Sequence, residues 1–339
     1  MESTMIIVVI SVAIALLFDV INGFHDAANS IATVVSTRVL PPKFAVLWAA
    51  FFNFIAMFVF APKVANFVSK IIIIDSKDNF YMYVVLAGLL GAIIWDIVTW
   101  WFGLPTSSSH ALIGGLTGAA LAYKGMDTIR WEKIIDTLEF IPLAPLIGFA
   151  LAFVIMVGVY WSLRKWNPKT VDHLFRKGQL VSAAMYSLSH GANDAQKTMG
   201  VILAILLAAG IMKPGSEISR SNPDTLWIIL SCQTAMALGT AMGGWRIVKT
   251  MGMKLTKLKP VHGFCAETAG ACSIFFATHL GIPISTTHTI AGSIIGVGSA
   301  TNLAGINWKI AARIVMAWFV TIPASAFIGA LCIWIFRLF

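Results

Sequence analysis

The feature that most restricts what this chain can fold into is a repeat. Gly103-Leu-Pro-Thr-Ser-Ser-Ser-His110 returns as Gly281-Ile-Pro-Ile-Ser-Thr-Thr-His288. Each copy follows a long apolar segment and precedes a Gly-x-x-x-Gly, Gly114 to Gly118 and Gly292 to Gly296. Gly103, Pro105, Ser107, His110, Gly114 and Gly118 all recur 178 residues later. A second repeat lies upstream. Asn22-Gly-Phe-His-Asp-Ala-Ala-Asn29 corresponds to His190-Gly-Ala-Asn-Asp-Ala-Gln-Lys197, with Gly23, Asp26 and Ala27 recurring 168 residues on. The chain is two related halves, each expected to carry an Asp-centred polar break and then a hydroxyl-rich one.

The surroundings of these repeats are a lipid-soluble chain. Of 339 residues, 58% are hydrophobic and 12% charged, which excludes an ordinary soluble protein. The apolar runs are continuous and long enough to cross a bilayer, whereas a transmembrane barrel shows short alternating segments. The N-terminal apolar run has no basic segment before it and reads as a first span, not a removed signal. The net charge of +9 resides in the short loops between spans, as an orientation signal does. No basic stripe interleaves with aromatics, so nucleic acid is not an expected partner. The four cysteines lack metal-ligand spacing and read as packing residues.

The strongest internal boundary is 164–177, with five basic residues and Pro168. It reads as a cytoplasmic basic linker between a first repeat, 1–163, and a second, 178–339. Each half has about five apolar segments. An odd number of crossings per half turns the second half over relative to the first. The expected fold is an all-α membrane protein: a polytopic helical transporter with two inverted repeats, broken helices and re-entrant segments.

The breaks carry the chemistry. Gly-x-Pro stops one helix and starts another, and Pro105 and Pro283 suit a helix start. Thr106, Ser107, Ser108 and Ser109 then lie at a helix N-terminus, as do Ser285, Thr286 and Thr287. Such an end offers free N–H groups, hydroxyls and the positive end of the helix dipole, an anion site without Lys or Arg. One copy alone reads as ordinary capping; two in register point to a shared oxyanion site. Asp26 and Asp194, with the amide oxygens of Asn22, Asn29 and Asn193, form an oxygen-only set that suits a hard cation such as Na⁺. Buried acids need partners, and Lys197 is the one clear basic residue among them. It either neutralises an acid or touches substrate. Glu267 and Asp96 are further coupling or charge-balancing candidates. Ser109-His110 and Thr287-His288 are not catalytic dyads, because adjacent helix residues do not face each other.

Gly191-Ala-Asn-Asp-Ala195, the looser Gly23-Phe-His-Asp-Ala27, and the two hydroxyl motifs together resemble the inorganic phosphate transporter (PiT) family over nearly the whole chain. The resemblance implies a secondary transporter moving phosphate with Na⁺ or H⁺ across the cell membrane, often as a homodimer, with no cofactor beyond the transported ions. It lays the family's Asn-Asp on Asn193-Asp194 and on His25-Asp26, and its Ser/Thr loop on Ser285–Thr287 and Ser107–Ser109. His25 replaces an Asn of the signature, Asn53 stands where some relatives have a glutamate, and the large soluble loop of animal relatives is absent. A carrier of another oxyanion such as sulfate, an anion channel and a membrane-embedded enzyme are the competing classes.

Overall fold

A computed structural model describes residues 2–73, 80–213 and 215–338. The first half runs α1 (Glu2–Ser36), α2 (Pro42–Val59), a short α3 (Lys63–Val68), α4 (Tyr81–Trp101), α5 (Ser108–Lys124) and α6 (Trp131–Leu163). The second half repeats the order as α7 (Pro168–Ala208), α8 (Pro223–Met242), α9 (Trp245–Lys249, continuing through a π turn at Thr250–Lys254), α10 (Pro260–Leu280), α11 (Thr286–Thr301) and α12 (Trp308–Phe336). The all-α class expected from the sequence is the class found. Among the described residues six helices, α1, α2, α4, α6, α8 and α12, are long and apolar enough to cross a membrane. Their outer faces are apolar: α2 exposes Phe44, Leu47, Phe51 and Phe58, one stripe of a helix. Asp19, Asp26, Asp96, Asp194, Lys197 and Glu267 are all buried. Apolar outside and ionic inside is the arrangement a lipid surround permits.

One expectation is corrected. The Asp-centred segments are not breaks, since α1 and α7 run unbroken through Asn22–Asn29 and His190–Lys197. The reason is spacing. Asn22, Asp26, Asn29 and Thr33 fall at i, i+4, i+7 and i+11, and Tyr186, His190, Asn193 and Lys197 repeat that interval. Polar residues at these intervals form a stripe on one face and leave the backbone ladder intact. Neither segment contains the proline that would interrupt it. Of the expected linker, Arg164–Asn167 is non-helical and the rest opens α7, capped by Asn167 accepting from Lys169 N at 2.9 Å.

The hydroxyl-rich breaks are real, and each is the tip of a helical hairpin. α4 stops before Gly103 and α10 before Gly281, whose φ values of 63° and 77° end a helix cheaply only in glycine. α5 then folds back along α4, so close that a Cβ on Gly115 would lie 2.2 Å from the Gly88 carbonyl oxygen. α11 folds back along α10 in the same way, with Ile290 reaching Gly270. The prolines sit in the tips, not in the first helical turn. Ser107 and Ser285 are the N-caps, accepting from His110 N at 3.3 Å and His288 N at 3.1 Å.

The halves interlock by exchange. α5 packs on α12 through Gly114 and Gly118, and α11 packs on α6 through Gly292 and Gly296. Likewise α2 lies on α7, and α8 on α1. The short helices brace the opposite half's tip. Thr250 Oγ1 donates to the Gly103 carbonyl at 2.9 Å and Arg246 Nη1 to that of Trp101 at 2.6 Å. Lys63 Nζ donates to the His279 carbonyl at 3.0 Å.

These crossings allow no side chain at the motif glycines. A Cβ on Gly118 would stand 2.0 Å from the Ala326 carbonyl oxygen. Gly118→Val should therefore cost about 3 kcal/mol or more, seen as a lowered Tm and loss of monodisperse elution in detergent. Gly158→Ala in α6, where nothing lies within 4 Å, should leave both unchanged or slightly improved.

Candidate functional site

The two hairpin tips meet inside the protein, against the polar stripes of α1 and α7. The His110 and His288 rings stand 4.8 Å apart, one from each tip. Trp318 of α12 stacks on His288 at 4.0 Å and donates its Nε1–H to the Pro105 carbonyl at 3.2 Å, so one side chain ties both tips. All seven expected anion-site residues, Thr106 to Ser109 and Ser285 to Thr287, are buried there. At each tip the first turn leaves N–H groups without intrahelical acceptors, and the dipole's positive end points the same way.

The hydroxyls are bonded to the acids. Thr286 Oγ1 donates to Asp194 Oδ2 at 3.0 Å and Thr287 Oγ1 to Asp26 Oδ1 at 3.4 Å. Asn29 Nδ2 donates to both threonines, at 3.3 and 2.9 Å. Lys197 Nζ donates to Asp194 Oδ1, Ser109 Oγ and the Ile284 carbonyl. Lys197 thus pairs an acid, the first of the two roles considered for it, and also donates to a hydroxyl of the Ser/Thr cradle. On the first-half side, His25 Nδ1 donates to Asp26 at 2.8 Å. Its Nε2 lies 3.1 Å from Thr99 and 3.4 Å from Thr106.

This cluster is short of donors. Asp26, Asp194 and His190 each place a ligand atom within 4.8 Å of the others. Two carboxylates at that separation repel by roughly 3 kcal/mol even at an effective dielectric of 20. His190 Nδ1 donates to Asn53 Oδ1 at 3.3 Å, because Asn53 spends its amide on Thr240. The other ring nitrogen, Nε2, lies 3.1 Å from Asp194 Oδ2, so a proton or a cation between them pairs the two. The amide oxygens of Asn22, Asn29 and Asn193, three of the five expected cation ligands, have no hydrogen-bond partner among the described residues. Buried acceptors without donors are rare, and an ion is one of the explanations for them.

The remaining acids divide. Both oxygens of Asp96 lack a hydrogen-bond partner among the described residues, and the residue lies one helical turn before Thr99, at the edge of the cluster. Glu267 stands apart in a closed cage of Thr33, Gln179 and Ser182 donors. Thr33 is seven residues from Asp26, about 10 Å along the helix. Sequence reasoning assigned His190 no role and did not single out Thr99, Tyr186, Thr278 or Trp318. Tyr186 donates to the Thr286 carbonyl at 3.0 Å, and Thr278 accepts from Asn193 at 2.9 Å. Helical spacing from known site residues would have found Tyr186; Trp318 sits in an apolar helix with nothing to mark it.

The chain matches the model of the phosphate transporter family over residues 22–329. It is 54% identical over 321 residues to a probable low-affinity inorganic phosphate transporter of Rhizobium meliloti (strain 1021), covering 95% of this chain and 94% of that one. A protein described in the same words from Bacillus subtilis (strain 168) is 41% identical over 338 residues, covering 100% and 99%. A solved structure of a sodium-dependent phosphate transporter shares the fold, with a TM-score of 0.88 at 24% identity over 98% of this chain and 99% of that chain. The family and these relatives are transporters, not enzymes, and with its six apolar helices this chain is an integral membrane protein.

The tips depend on Trp318 for their relative placement. Trp318→Leu removes the stack and the bond to Pro105. Amide hydrogen exchange at residues 106–110 should accelerate by about tenfold or more, the equivalent of one lost buried hydrogen bond with its packing. Unchanged exchange there would show that the tips are held by other contacts.

Proposed function

The chain belongs to the phosphate transporter family, and on that premise we propose that it imports inorganic phosphate across the cell membrane by alternating access, with Na⁺ as the coupling cation. The observation that carries this reading is that the hydroxyls of the tips are bonded to the carboxylates of the stripes. A hydroxyl has one proton to give. While Thr286 and Thr287 donate to Asp194 and Asp26, they cannot donate to an anion. A cation at the carboxylates takes over the role of those protons. The hydroxyls then turn to phosphate, together with the tip N–H groups. Phosphate in turn brings negative charge that holds the cation. Each ligand completes the other's site.

Asn22, Asn29 and Asn193 supply the oxygens that would complete the cation's shell. Phosphate suits the cradle because hydroxyls both donate to it and accept from its protonated form, which sulfate at neutral pH lacks. Matched hairpins, one from each half, also support a centrally placed site that opens to either side by movement of one half against the other. The His190–Asp194 pair gives a proton a place to ride instead of Na⁺, and replacement of Na⁺ in a proteoliposome uptake assay separates the two.

Na⁺ should tighten phosphate binding, and phosphate should tighten Na⁺ binding by the same factor, as linkage demands. Equal phosphate affinity with and without Na⁺ rejects the coupling. Thr286→Val, which keeps the shape and removes the hydroxyl, should weaken phosphate binding by roughly tenfold or more. Asp194→Asn should abolish uptake while the protein still elutes as a folded species; normal uptake removes Asp194 from the mechanism. Arsenate should compete with labelled phosphate and sulfate should not.

A further inference from the structure

Lys197 stands 168 residues after Asn29, the interval that also separates Asp26 from Asp194. The two residues hold the same place on the two stripes, and only one of them is a cation. The Lys197 ammonium, buried, donates to a carboxylate oxygen of Asp194, to the hydroxyl of Ser109 and to the carbonyl of Ile284. A carboxylate, a hydroxyl and a backbone carbonyl converging on one buried positive charge form the donor set of a hard cation. Moved into the first half by the intervals that relate the repeats, these three groups become Asp26, Thr287 and the carbonyl of Thr106. Thr287 already bonds Asp26 there, at 3.4 Å. Asn29, in the lysine's place, donates to Thr287 at 2.9 Å, and its Oδ1 has no hydrogen-bond partner among the described residues. The second half fills its position from the chain itself. The first half presents the matching oxygens with the His25 imidazole on Asp26 at 2.8 Å, and among the described residues no lysine or arginine reaches them.

We infer that Lys197 is a tethered counter-cation: its ammonium occupies the second of two matched cation positions, and the first, formed by Asp26, Asn29 and Thr287, is the one a mobile cation uses. The inference rests on the reading above for the cargo, but the existence of two matched positions comes from the bonds of Lys197 and Asn29 alone. Its consequence is a lower ion cost per phosphate than two asparagines would impose. A methionine at 197 would supply neither charge nor oxygen, and Asp194 would lose its strongest partner. An asparagine would supply an oxygen and the space for an ion.

The test counts labelled Na⁺ and labelled phosphate entering the same proteoliposomes. Lys197→Asn should raise the Na⁺-to-phosphate ratio by about one and steepen the Na⁺ dependence of uptake. Lys197→Met should lose uptake at every Na⁺ concentration. Asn29→Lys, the reciprocal change, should lower the ratio by about one and weaken the Na⁺ dependence. A parental ratio in Lys197→Asn, or parental uptake in Lys197→Met, overturns the inference. If Lys197→Asn does not elute as a folded species, Asn29→Lys decides, and an unchanged ratio in it is the overturning result. Should the parent prove indifferent to Na⁺, the sodium coupling proposed above falls. Lys197→Asn then upholds the tethered cation by gaining a Na⁺ dependence that the parent lacks, and overturns it by gaining none.

Discussion

Two helix N-termini end in the interior of a protein whose outside is lipid, and everything else in the structure answers to that. A helix start leaves its first N–H groups without acceptors, and in a medium without water each one is costly. Ser107 and Ser285 satisfy part of the need as caps. The rest is left facing the acids of α1 and α7. Carboxylates favour the positive end of a helix dipole, so the tips and the stripes stabilise each other before any ligand arrives. A site whose donors and acceptors are half matched to one another is also ready to be matched by something else. That readiness separates this arrangement from a more nearly satisfied cluster such as Glu267, which accepts from Thr33, Gln179 and Ser182.

Holding two irregular tips at one point requires rigid support from outside the hairpins, and the exchange of elements between halves provides it. Each hairpin is packed on its back by the long helix of the opposite half, α12 or α6, through glycines that allow the backbones to touch. Each tip is braced at its neck by the opposite half's short helix. Neither half can position its own hydroxyls alone. The two halves therefore move, if they move, as bodies that carry parts of each other's site, which couples the geometry of one tip to that of the other.

How much of this was legible in the sequence depends on what kind of signal each part leaves. The hydroxyl breaks were legible because Gly103-x-Pro105 and Gly281-x-Pro283 act on the backbone, and only a few residue types do that. The Asp-centred segments were misread as breaks because a cluster of polar residues in an apolar run looks like an interruption until its spacing is checked. Intervals of three and four between Asn22, Asp26 and Asn29 are the spacing of one helix face. The motif glycines announced close packing, but not that α5 would find α12 and α11 would find α6, since linear order says nothing of a partner in the other half. Trp318 was illegible for a simpler reason: in an apolar helix one more large side chain carries no sign of what it touches.

The repeat also explains why the site is not symmetric. Two copies of a stripe that face each other double every charge they carry. Asparagine at both 29 and 197 would leave two carboxylates, within 4.8 Å along with His190, with only the imidazoles of His25 and His190 as basic side-chain partners. Lysine at both would neutralise them permanently, and no cation would then be needed to release the hydroxyls. One of each keeps a single carboxylate open to exchange while the other is held. The pairs Asn22 with His190 and His25 with Asn193 diverge at the same matched places, and each divergence changes which group donates and which accepts. Divergence at these facing positions, with Gly23, Asp26 and Ala27 kept in both, lets a duplicated fold make one working site from two copies of the same half.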